Sequence, residues 1–433
     1  MDRLLLKNAH AVDPSHRVDR KVDLLIEDER IARIGKPISI EGVPTVDLNG
    51  LVVAPGFVDI HVHFREPGIE EAETIETGAL AAAAGGFTAV ACMPNTRPCN
   101  DNEFTNGFIL HKAKLAKIGV HAIAAITKDE GGEELVDFAA LKKSGAVAFS
   151  DDGKPVANSR LMRQAIETGK ALHMVMIDHC EDPFLFKGGA INEGVFSKRL
   201  KVQGIPNAAE EIMVARNIAL ARLTGGHVHM AHMSTAGSMD LIRHAKKSGV
   251  PVTSEVTPHH FTLTDKAVME YGTNAKMNPP LRSKSDLDAV LKAIADGTVD
   301  VIASDHAPHH VSKKNVPLSE AAFGIIGLET SVSLGLDRLV NTGLISMKRF
   351  VELYSLNPAR ILGIQRGIAK GIEANLTILH PTKRIKVDPS KFQSKSRNTP
   401  FDQWKLRGCP AGTIYKGEFV WVDQRLIGVS NTK

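Results

Sequence analysis

Eight apolar segments between residues 56 and 308 constrain the fold of this chain more than any other feature of its sequence. They are GFVDIHVHF, FTAVACMPN, VHAIAAIT, AVAFSDDG, ALHMVMIDHCE, HVHMAHMS, PVTSEVTPHH and VDVIASDHAP. Apolar residues occupy both alternating faces of these segments, as in parallel strands that are buried on both sides. Helical stretches such as ETGALAAAAGG and LDAVLKAIADG lie between them, and several end with Gly. Eight strands alternating with helices predict a (β/α)₈ barrel, with a doubly wound sheet as the alternative.

The two ends of the sequence have a different pattern. Residues 1–54 contain short apolar stretches of period two, which Gly, Pro and Asn interrupt. Similar stretches, NLTILHP and GTIYKGEFVWVD, return after the eighth segment. We therefore expect residues 1–54 and 366–433 to form one small, discontinuous β domain beside a barrel of residues 55–365.

The composition is that of an ordinary soluble protein, and its mild positive charge would suit small anionic substrates. The net charge is only +4, and no dense Lys/Arg block is present, so no nucleic-acid partner is expected. Four cysteines without a CxxC pair indicate a reducing compartment. The sequence shows no secretory signal and no run of the ~20 apolar residues that a membrane span needs. A cytoplasmic location without membrane contact is the resulting expectation.

Most of the eight segments end in side chains that can bind a metal or a substrate. In segment order these are His61 and His63, Asn95, Asp151 and Asp152, His179, His232, His259 and His260, and Asp305. In a barrel of parallel strands the C-terminal strand ends meet at one mouth, where the active site lies. Core packing alone predicts no such bias, and a cation can satisfy several buried His and Asp side chains at once. The pattern therefore predicts a metal centre at the mouth.

His61 and His63 have the spacing of a metal-binding pair, because alternate residues of a strand point to the same face. Two histidines at this spacing also occur by chance, so the interpretation depends on the other strand ends. His179 and His232 each end a separate apolar segment, which favours ligation over the structural role that is usual for a lone histidine. Asp305 also follows an apolar run, and Pro308 argues against a role for it as the cap of an immediate helix.

Seven motifs give the sequence a family resemblance. VDIHVHFREPG, MPNTRP, AFSDDG, HCED, EVTPHH, MNPPLR and ASDHAPH, in this order, resemble the motif set of the bacterial class I dihydroorotases of the amidohydrolase superfamily. The similarity runs through nearly the whole chain and includes KSRNTPFDQWKLRG near its end. It implies a metal-dependent cyclic amidohydrolase whose cofactor is Zn²⁺, with one or two ions per subunit and two expected.

The resemblance also implies a ligand set. His61, His63 and Asp305 would bind the more buried ion, and His179 and His232 would bind the second. Many amidohydrolases bridge their two ions with a carboxylated lysine, but AFSDDG has no lysine before its aspartates, so an aspartate is expected as the bridge. Relatives have this aspartate second in the pair, immediately before Gly, which is Asp152. Asp151 is the alternative, and its other role would be to hydrogen-bond nearby backbone.

The family's substrate contacts carry over to seven residues. They are His63, Arg65, Asn95, Asn278, His309, Phe323 and Gly324. Arg65 suits this role because a guanidinium group can bind a carboxylate with two hydrogen bonds, to which Asn95 and His309 can add others. Residues 306–324, called the mouth loop below, form a long polar stretch that could close over the mouth and exclude water.

The reaction implied is the reversible cyclisation of N-carbamoyl-L-aspartate to L-dihydroorotate in de novo pyrimidine biosynthesis. A metal-activated hydroxide would attack the ring carbonyl, with Asp305 as general acid and base. One alternative is another cyclic amidase, a hydantoinase or allantoinase, although these generally use the bridging lysine. The other is an inactive dihydroorotase-like scaffold for a transcarbamoylase, which should have lost metal ligands that this sequence retains. A homodimer and an association with aspartate carbamoyltransferase are further expectations.

Overall fold

The computed structural model describes residues 3–427 and contains an eight-stranded parallel sheet that is rolled into a nearly closed barrel. Each of the eight predicted segments contributes one strand. The strands are Phe57–Val62, Phe87–Cys92, Gly119–Ala124, Ala148–Ser150, Met176–Asp178, Val228–Met230, Val252–Val256 and Val301–Ile302. The predicted barrel is confirmed, and each strand pairs with its neighbours in sequence, unlike the strands of a doubly wound sheet.

The first and eighth strands meet just beyond their C-terminal ends. Val62 forms an isolated parallel bridge with His306, and the backbone N–H of His63 donates to the carbonyl oxygen of His306 at 2.9 Å. These contacts bring the two ends of the sheet together at the edge where the predicted site residues lie.

Helices connect the strands and cover the barrel. Their bounds are Ile75–Ala84, Glu103–Ala113, Phe138–Lys143, Ser159–Ala171, Pro183–Phe186, Val195–Leu200, Ala208–Thr224, Ala236–Lys247, Val268–Tyr271, Lys284–Asp296, Val311–Lys314, Leu328–Gly335, Met347–Val351 and Asn357–Ile361. Local sequence sets their ends: the side chain of Asn158 accepts from the backbone N–H groups of Arg160 and Leu161, and Gly297 ends its helix with φ +85°. No helix within residues 3–427 combines the length and the apolar content that a bilayer span would need.

The two ends of the chain form a second sheet, as predicted. Its strands are Arg3–Asp13, Val18–Glu27, Arg30–Gly35, Thr45–Asp47, Val52–Pro55, Leu376–Lys386, Lys405–Tyr415 and Glu418–Val422. The two halves join where Val52–Pro55 runs antiparallel to Leu376–Lys386, with Val53 opposite Ile378. This sheet has its own apolar cluster, which includes Leu6, Leu24 and Ile414. The proposed domain boundaries at 54/55 and 365/366 stay predictions, and residues 1–2 and 428–433 of the predicted β domain lie outside the described residues.

Two local features differ from the sequence-based expectation. The strand Lys405–Tyr415 begins seven residues before the stretch that was predicted from residue 412, because its first half pairs with Arg384–Lys386. The residues Arg384–Lys386 show no clear alternation of apolar and polar side chains, so the sequence did not indicate this pairing. The mouth loop, expected to be irregular throughout, contains the one-turn helix Val311–Lys314, for which His310 provides the cap by accepting from the backbone N–H of Ser312.

Candidate metal centre

Four histidines surround the carboxylate of Asp152 at the mouth of the barrel. The Asp152 oxygens lie 3.4 Å from His61 Nε2, 3.3 Å from His63 Nε2, 3.5 Å from His179 Nδ1 and 3.4 Å from His232 Nε2. All five residues are buried, although they come from four different strand ends. One carboxylate between two pairs of imidazoles is the arrangement expected of a ligand shared by two cations.

The donor atoms form two candidate cation sites that share Asp152. One group is His61, His63 and Asp152, the other is Asp152, His179 and His232, and the donor atoms of each group lie within 4.8 Å of one another. His61 Nε2 and Asp152 Oδ1 are buried and have no hydrogen-bond partner among the described residues. Burying polar atoms without a partner destabilises the folded protein unless a cation binds them. Nitrogen and carboxylate oxygen are also the ligands that Zn²⁺ accepts, so the residues fit a metal centre.

Asp305 completes the first group. Its Oδ1 lies 3.2 Å from His63 Nε2 and 3.5 Å from His61 Nε2. Burial by itself would raise the pKa values of Asp305 and Asp152, but the neighbouring imidazoles lower both below the ordinary value. Both carboxylates are therefore negatively charged and can balance the charge of a cation.

Asp151 points away from this centre. Its Oδ1 accepts hydrogen bonds from the backbone N–H groups of Ile126 and Thr127 at 2.7 and 3.0 Å, and its Oδ2 accepts one from the Thr127 hydroxyl. The two neighbouring aspartates thus face different surroundings, and only Asp152 lies among the histidines.

The ring of His61 is held by a carboxylate that the sequence analysis did not select. His61 Nδ1 donates to Glu255 Oε1 at 2.5 Å, which leaves Nε2 directed at Asp152 and Asp305. His229 Nε2 in turn donates to Glu255 Oε2 at 3.2 Å. A carboxylate on the far nitrogen of a metal-binding imidazole fixes the orientation and tautomer of the ring. The signal in the sequence was a lone acid inside the apolar segment PVTSEVTPHH.

Similar contacts orient two of the other histidines. His63 Nδ1 donates to Asn95 Oδ1 at 2.8 Å, so Asn95 holds this ring. His179 Nε2 donates to Glu181 Oε2 at 3.3 Å, and Asn278 Nδ2 donates to the same carboxylate oxygen at 3.1 Å. Asn95 and Asn278, which were predicted to contact substrate, thus also support the histidines.

A cavity of about 230 Å³ opens directly above the histidines. It is lined by all seven residues that were predicted to contact substrate, together with Asp152, His179 and Asp305: His63, Arg65, Asn95, Asn278, His309, Phe323 and Gly324. The cavity therefore brings together the candidate metal ligands and the candidate substrate contacts. His259 and His260 lie outside its lining, and His260 Nε2 donates to the carbonyl oxygen of Pro279 instead.

Arg65 gives the cavity a positive charge. Its Nε donates to the carbonyl oxygen of Pro308 at 3.2 Å, and no carboxylate within residues 3–427 forms a salt bridge with its guanidinium group. Burial lowers the pKa of Arg65 to about 10, which still leaves the group protonated at neutral pH. A partly buried guanidinium without an acidic partner is suited to bind an anionic ligand.

His309, Phe323 and Gly324 form the wall of the cavity that belongs to the mouth loop. His309 Nε2 donates to the carbonyl oxygen of Phe323 at 2.7 Å. Gly324 has φ +115°, and a Cβ atom at this position would lie 2.5 Å from the Cβ atom of Ala307. Only glycine fits here, because both the backbone conformation and the close approach exclude a side chain.

Two buried lysines hold the middle of the mouth loop. Lys314 Nζ donates to the carbonyl oxygens of Ala322, Thr273 and Lys276 at 2.7, 3.0 and 3.1 Å. Lys276 Nζ donates to that of Leu318 at 2.7 Å and lies 4.4 Å from the centre of the Phe323 ring. The loop is thereby attached to the segment that carries Asn278.

Three residues at the mouth have left-handed backbone conformations. Arg65, His232 and Asp305 have φ values of 62°, 36° and 47°. This region is unfavourable for residues with a Cβ atom, and such conformations concentrate at functional sites, where the surrounding structure maintains them. Arg65 and Asp305, which both line the cavity, thus lie in sharp turns of the chain just beyond the first and eighth strands.

The chain is similar to known proteins over most of its length. Residues 50–238 match the family model described as dihydro-orotase-like. The chain is 49% identical over 421 residues to a dihydroorotase of Citrifermentans bemidjiense, covering 96% of this chain and 99% of the relative, and 50% identical over 423 residues to one of Pelotomaculum thermopropionicum, covering 98% and 99%. Among solved structures, an L-hydantoinase of Arthrobacter aurescens superimposes with a TM-score of 0.86 at 26% identity, covering 97% of this chain and 96% of that one. The chain belongs to the dihydroorotase family of cyclic amidohydrolases.

Proposed function

We propose that this enzyme catalyses the reversible cyclisation of N-carbamoyl-L-aspartate to L-dihydroorotate at the cavity above the histidines. The observation that carries the proposal is the position of Asp152 between four imidazoles, next to a cavity that also contains Asp305 and the unpaired Arg65. Hydrolysis of a cyclic amide with a carboxylate substituent requires an activated water, a proton carrier and an anion-binding group, and this cavity has residues for each.

The proposed cofactor is a pair of Zn²⁺ ions. His61, His63 and Asp305 would hold one, His179 and His232 the other, and Asp152 would contact both. When bound, such ions lower the pKa of water from ~15.7 towards neutrality and polarise a carbonyl oxygen. The buried Asp152 Oδ1 and His61 Nε2, which lack other partners, support this assignment. Protons held by the imidazoles would have to leave on binding, so affinity should fall in acid.

Asp305 is the proposed general acid and base. Its carboxylate is held ionised by His63 and His61, and it lines the cavity. In the hydrolytic direction it accepts the proton of the attacking water and delivers it to the departing ring nitrogen. In ring closure it begins protonated and takes the reverse path. A single carboxylate can perform both transfers because the water oxygen attacks the carbonyl carbon that is bonded to the departing nitrogen.

The substrate carboxylate would bind at Arg65. The guanidinium donates to Pro308 through Nε, which leaves its terminal nitrogens for two parallel hydrogen bonds to the carboxylate. Asn95 and His309 line the same cavity and would add hydrogen bonds. Gly324 and Phe323 would close the opposite wall, and Asn278, whose Oδ1 has no partner among residues 3–427, would accept from a substrate N–H.

A hydantoinase activity is the closest rival, because the solved structures that superimpose well are hydantoinases and dihydropyrimidinases. Two observations favour the dihydroorotase assignment. The dihydroorotases of Citrifermentans bemidjiense and Pelotomaculum thermopropionicum are 49% and 50% identical to this chain, against 21–26% for those structures. The fourth strand also leads into Asp151 and Asp152, with no lysine in the strand to serve as a carboxylated bridge.

Purified protein tests this proposal directly. Chelator-treated enzyme should lose turnover of L-dihydroorotate and regain it with zinc, while hydantoin should be a poor substrate. Asp305→Asn should remove nearly all turnover and leave the zinc bound at His179 and His232. Turnover of hydantoin well above that of dihydroorotate, or near wild-type turnover by Asp305→Asn, would contradict the proposal.

The proposal extends to the location and the assembly of the protein. A cytoplasmic location is supported by the four cysteines, all buried and unpaired. A homodimer, and an association with aspartate carbamoyltransferase, rest on the family resemblance. Exposed apolar side chains such as Phe104, Phe184 and Val195 offer surface for such contacts. Sedimentation of the protein alone and with the transcarbamoylase would test both.

A further inference from the structure

The segment 393–399, which overlaps the start of the motif KSRNTPFDQWKLRG at residue 395, lies against the mouth of the barrel, although it belongs to the C-terminal part of the chain. None of its residues lines the cavity above the histidines. Its side chain nearest the cavity wall is that of Asn398, which is 5% exposed. The proposed reaction assigns this asparagine no role.

All the hydrogen-bonding groups of the Asn398 amide that face the mouth loop are in use. Nδ2 donates to the carbonyl oxygens of Ala307 and Gly324, both at 3.1 Å. Oδ1 accepts from the backbone N–H of His309 at 3.2 Å. Asn398 therefore joins the two ends of the mouth loop, and each end carries a proposed substrate contact.

The backbone of Asn398 adds a fourth contact, because its carbonyl oxygen accepts from the backbone N–H of Ile326 at 3.0 Å. Without the Asn398 amide, the carbonyl oxygens of Ala307 and Gly324 would lose these two hydrogen bonds. An asparagine can satisfy both carbonyls and the N–H group of His309 at once, because its amide has two donor hydrogens and one acceptor oxygen.

The segment itself is attached to the barrel by further hydrogen bonds that do not involve Asn398. Glu73, which follows the first strand, accepts from the backbone N–H of Lys395 at 3.2 Å. Glu329 accepts from the backbone N–H of Gln393 at 2.9 Å, and Ser396 Oγ donates to the carbonyl oxygen of Ala72 at 2.8 Å. These contacts give Asn398 a fixed base from which to hold the loop.

We propose that Asn398 is a positioning residue, which holds His309 and Gly324 in the geometry that binds the substrate carboxylate without touching the substrate. This inference rests on the proposed function, because it takes His309 and Gly324 as substrate contacts. It assigns the C-terminal segment a specific part in substrate recognition, in addition to its place beside the barrel.

The chemistry of the amide makes the role testable. Asn398→Asp keeps the shape but replaces the NH₂ group, and with it both donor hydrogens, with one acceptor oxygen, so an ionised carboxylate would face the carbonyls of Ala307 and Gly324. His309 and Gly324 would contact the bound substrate and the transition state equally. Displacing them therefore weakens the binding of both states by the same amount, which raises KM and leaves kcat nearly unchanged. We expect KM for dihydroorotate to rise roughly tenfold or more, with kcat within about threefold of wild type.

The experiment compares Asn398→Asp and Asn398→Ala with a matched control, Ser396→Ala. The control removes one buried hydrogen bond of the same segment, to Ala72, and none to the mouth loop. Three quantities are measured on the zinc-loaded proteins: steady-state kinetics with dihydroorotate, zinc content, and amide hydrogen exchange in peptides that cover residues 307–326. The Asn398→Ala variant provides the comparison if the buried charge of Asn398→Asp prevents folding.

Support requires faster exchange across residues 307–326 and a higher KM in the Asn398 variants, with unchanged zinc content and near wild-type behaviour of Ser396→Ala. Unchanged exchange would overturn the inference, as would an equal effect of Ser396→Ala, since the effect would then belong to the whole segment. Faster exchange with an unchanged KM would also overturn it. A wild-type enzyme inactive on dihydroorotate would instead refute the proposed function, and the exchange data would still report on the Asn398 hydrogen bonds.

Discussion

Asp151 and Asp152 are neighbours in the chain, and replacing each with alanine separates a candidate metal ligand from a structural residue. Asp152 faces four imidazoles at 3.3–3.5 Å. Asp151 faces two backbone N–H groups and a hydroxyl group. We expect Asp152→Ala to lose bound zinc but few protein hydrogen bonds, and Asp151→Ala to lose stability but keep its zinc.

The magnitudes follow from these contacts. Asp151→Ala leaves three donors in a buried site without their acceptor, each at a cost of ~1–3 kcal/mol. Burial already raises the pKa of Asp151 to about 6, which reduces the net benefit of its charge, so we expect a loss near the lower limit, about 3 kcal/mol. Asp152→Ala removes a ligand from both proposed ions. Loss of an outer-shell partner alone costs ~10–100-fold in metal affinity, so loss of a direct ligand should cost at least roughly 100-fold.

The assay has two readouts for each variant. Zinc per chain is measured after dialysis against a buffered zinc solution, and the thermal unfolding midpoint is measured after chelation, so that bound metal does not contribute to stability. The reasoning is refuted if Asp152→Ala retains two zinc ions per chain, or if Asp151→Ala loses its zinc while its chelated form unfolds at the wild-type temperature.

Four further outcomes are expected. Arg65→Lys keeps the charge but loses the planar fork, so kcat/KM for dihydroorotate should fall by roughly 10- to 100-fold, and a fall of only about twofold would argue against a carboxylate anchor. Ring closure consumes a proton, because carbamoyl aspartate has two carboxylates and dihydroorotate one; the equilibrium mixture formed by the enzyme should therefore shift roughly tenfold towards the open form for each pH unit above the carboxylate pKa values. Glu255→Gln should weaken zinc binding by about 10–100-fold in a chelator competition, because the amide holds His61 less firmly. Burial lowers the pKa of Lys314 to about 7, so between pH 7 and ~10 the unfolded chain binds more protons than the folded one, and the free energy of unfolding should rise with pH. Urea midpoints at pH 7 and 9 should show a smaller rise in Lys314→Met.

The barrel could be predicted because its strands are buried on both faces and therefore appear as continuous apolar runs, such as FTAVAC and VDVIAS. The side chains that end these runs converge for a topological reason, since all parallel strands finish at one mouth. The choice of Asp152 over Asp151 came only from the family resemblance. Alternation along the strand could not decide it, because the chain turns immediately after Ser150.

The residues that the sequence analysis missed act through other side chains. Glu255 lies in a strand and holds His61, and Asn398 lies outside the barrel, 91 and 74 residues beyond the two loop ends that it joins. No local period or spacing marks such residues, because their function depends on contacts that only the folded chain creates. Glu181 stands in the quoted motif HCED, yet its contact with His179 was not foreseen for the same reason.

The joining of Val52–Pro55 to Leu376–Lys386 has a consequence for the order of folding during synthesis. The N-terminal strands are made first, but one edge of Val52–Pro55 has no hydrogen-bonding partner until more than 300 further residues have been added. The backbone N–H of Phe57, at the start of the barrel, likewise waits for the hydroxyl group of Thr377. A nascent chain that already contains every histidine and aspartate of the candidate centre therefore still has an open sheet edge and no Asn398 against its mouth loop. With the proposed role of Asn398, the mouth loop is held in its binding geometry only after Leu376–Lys386 and the segment 393–399 have been synthesised.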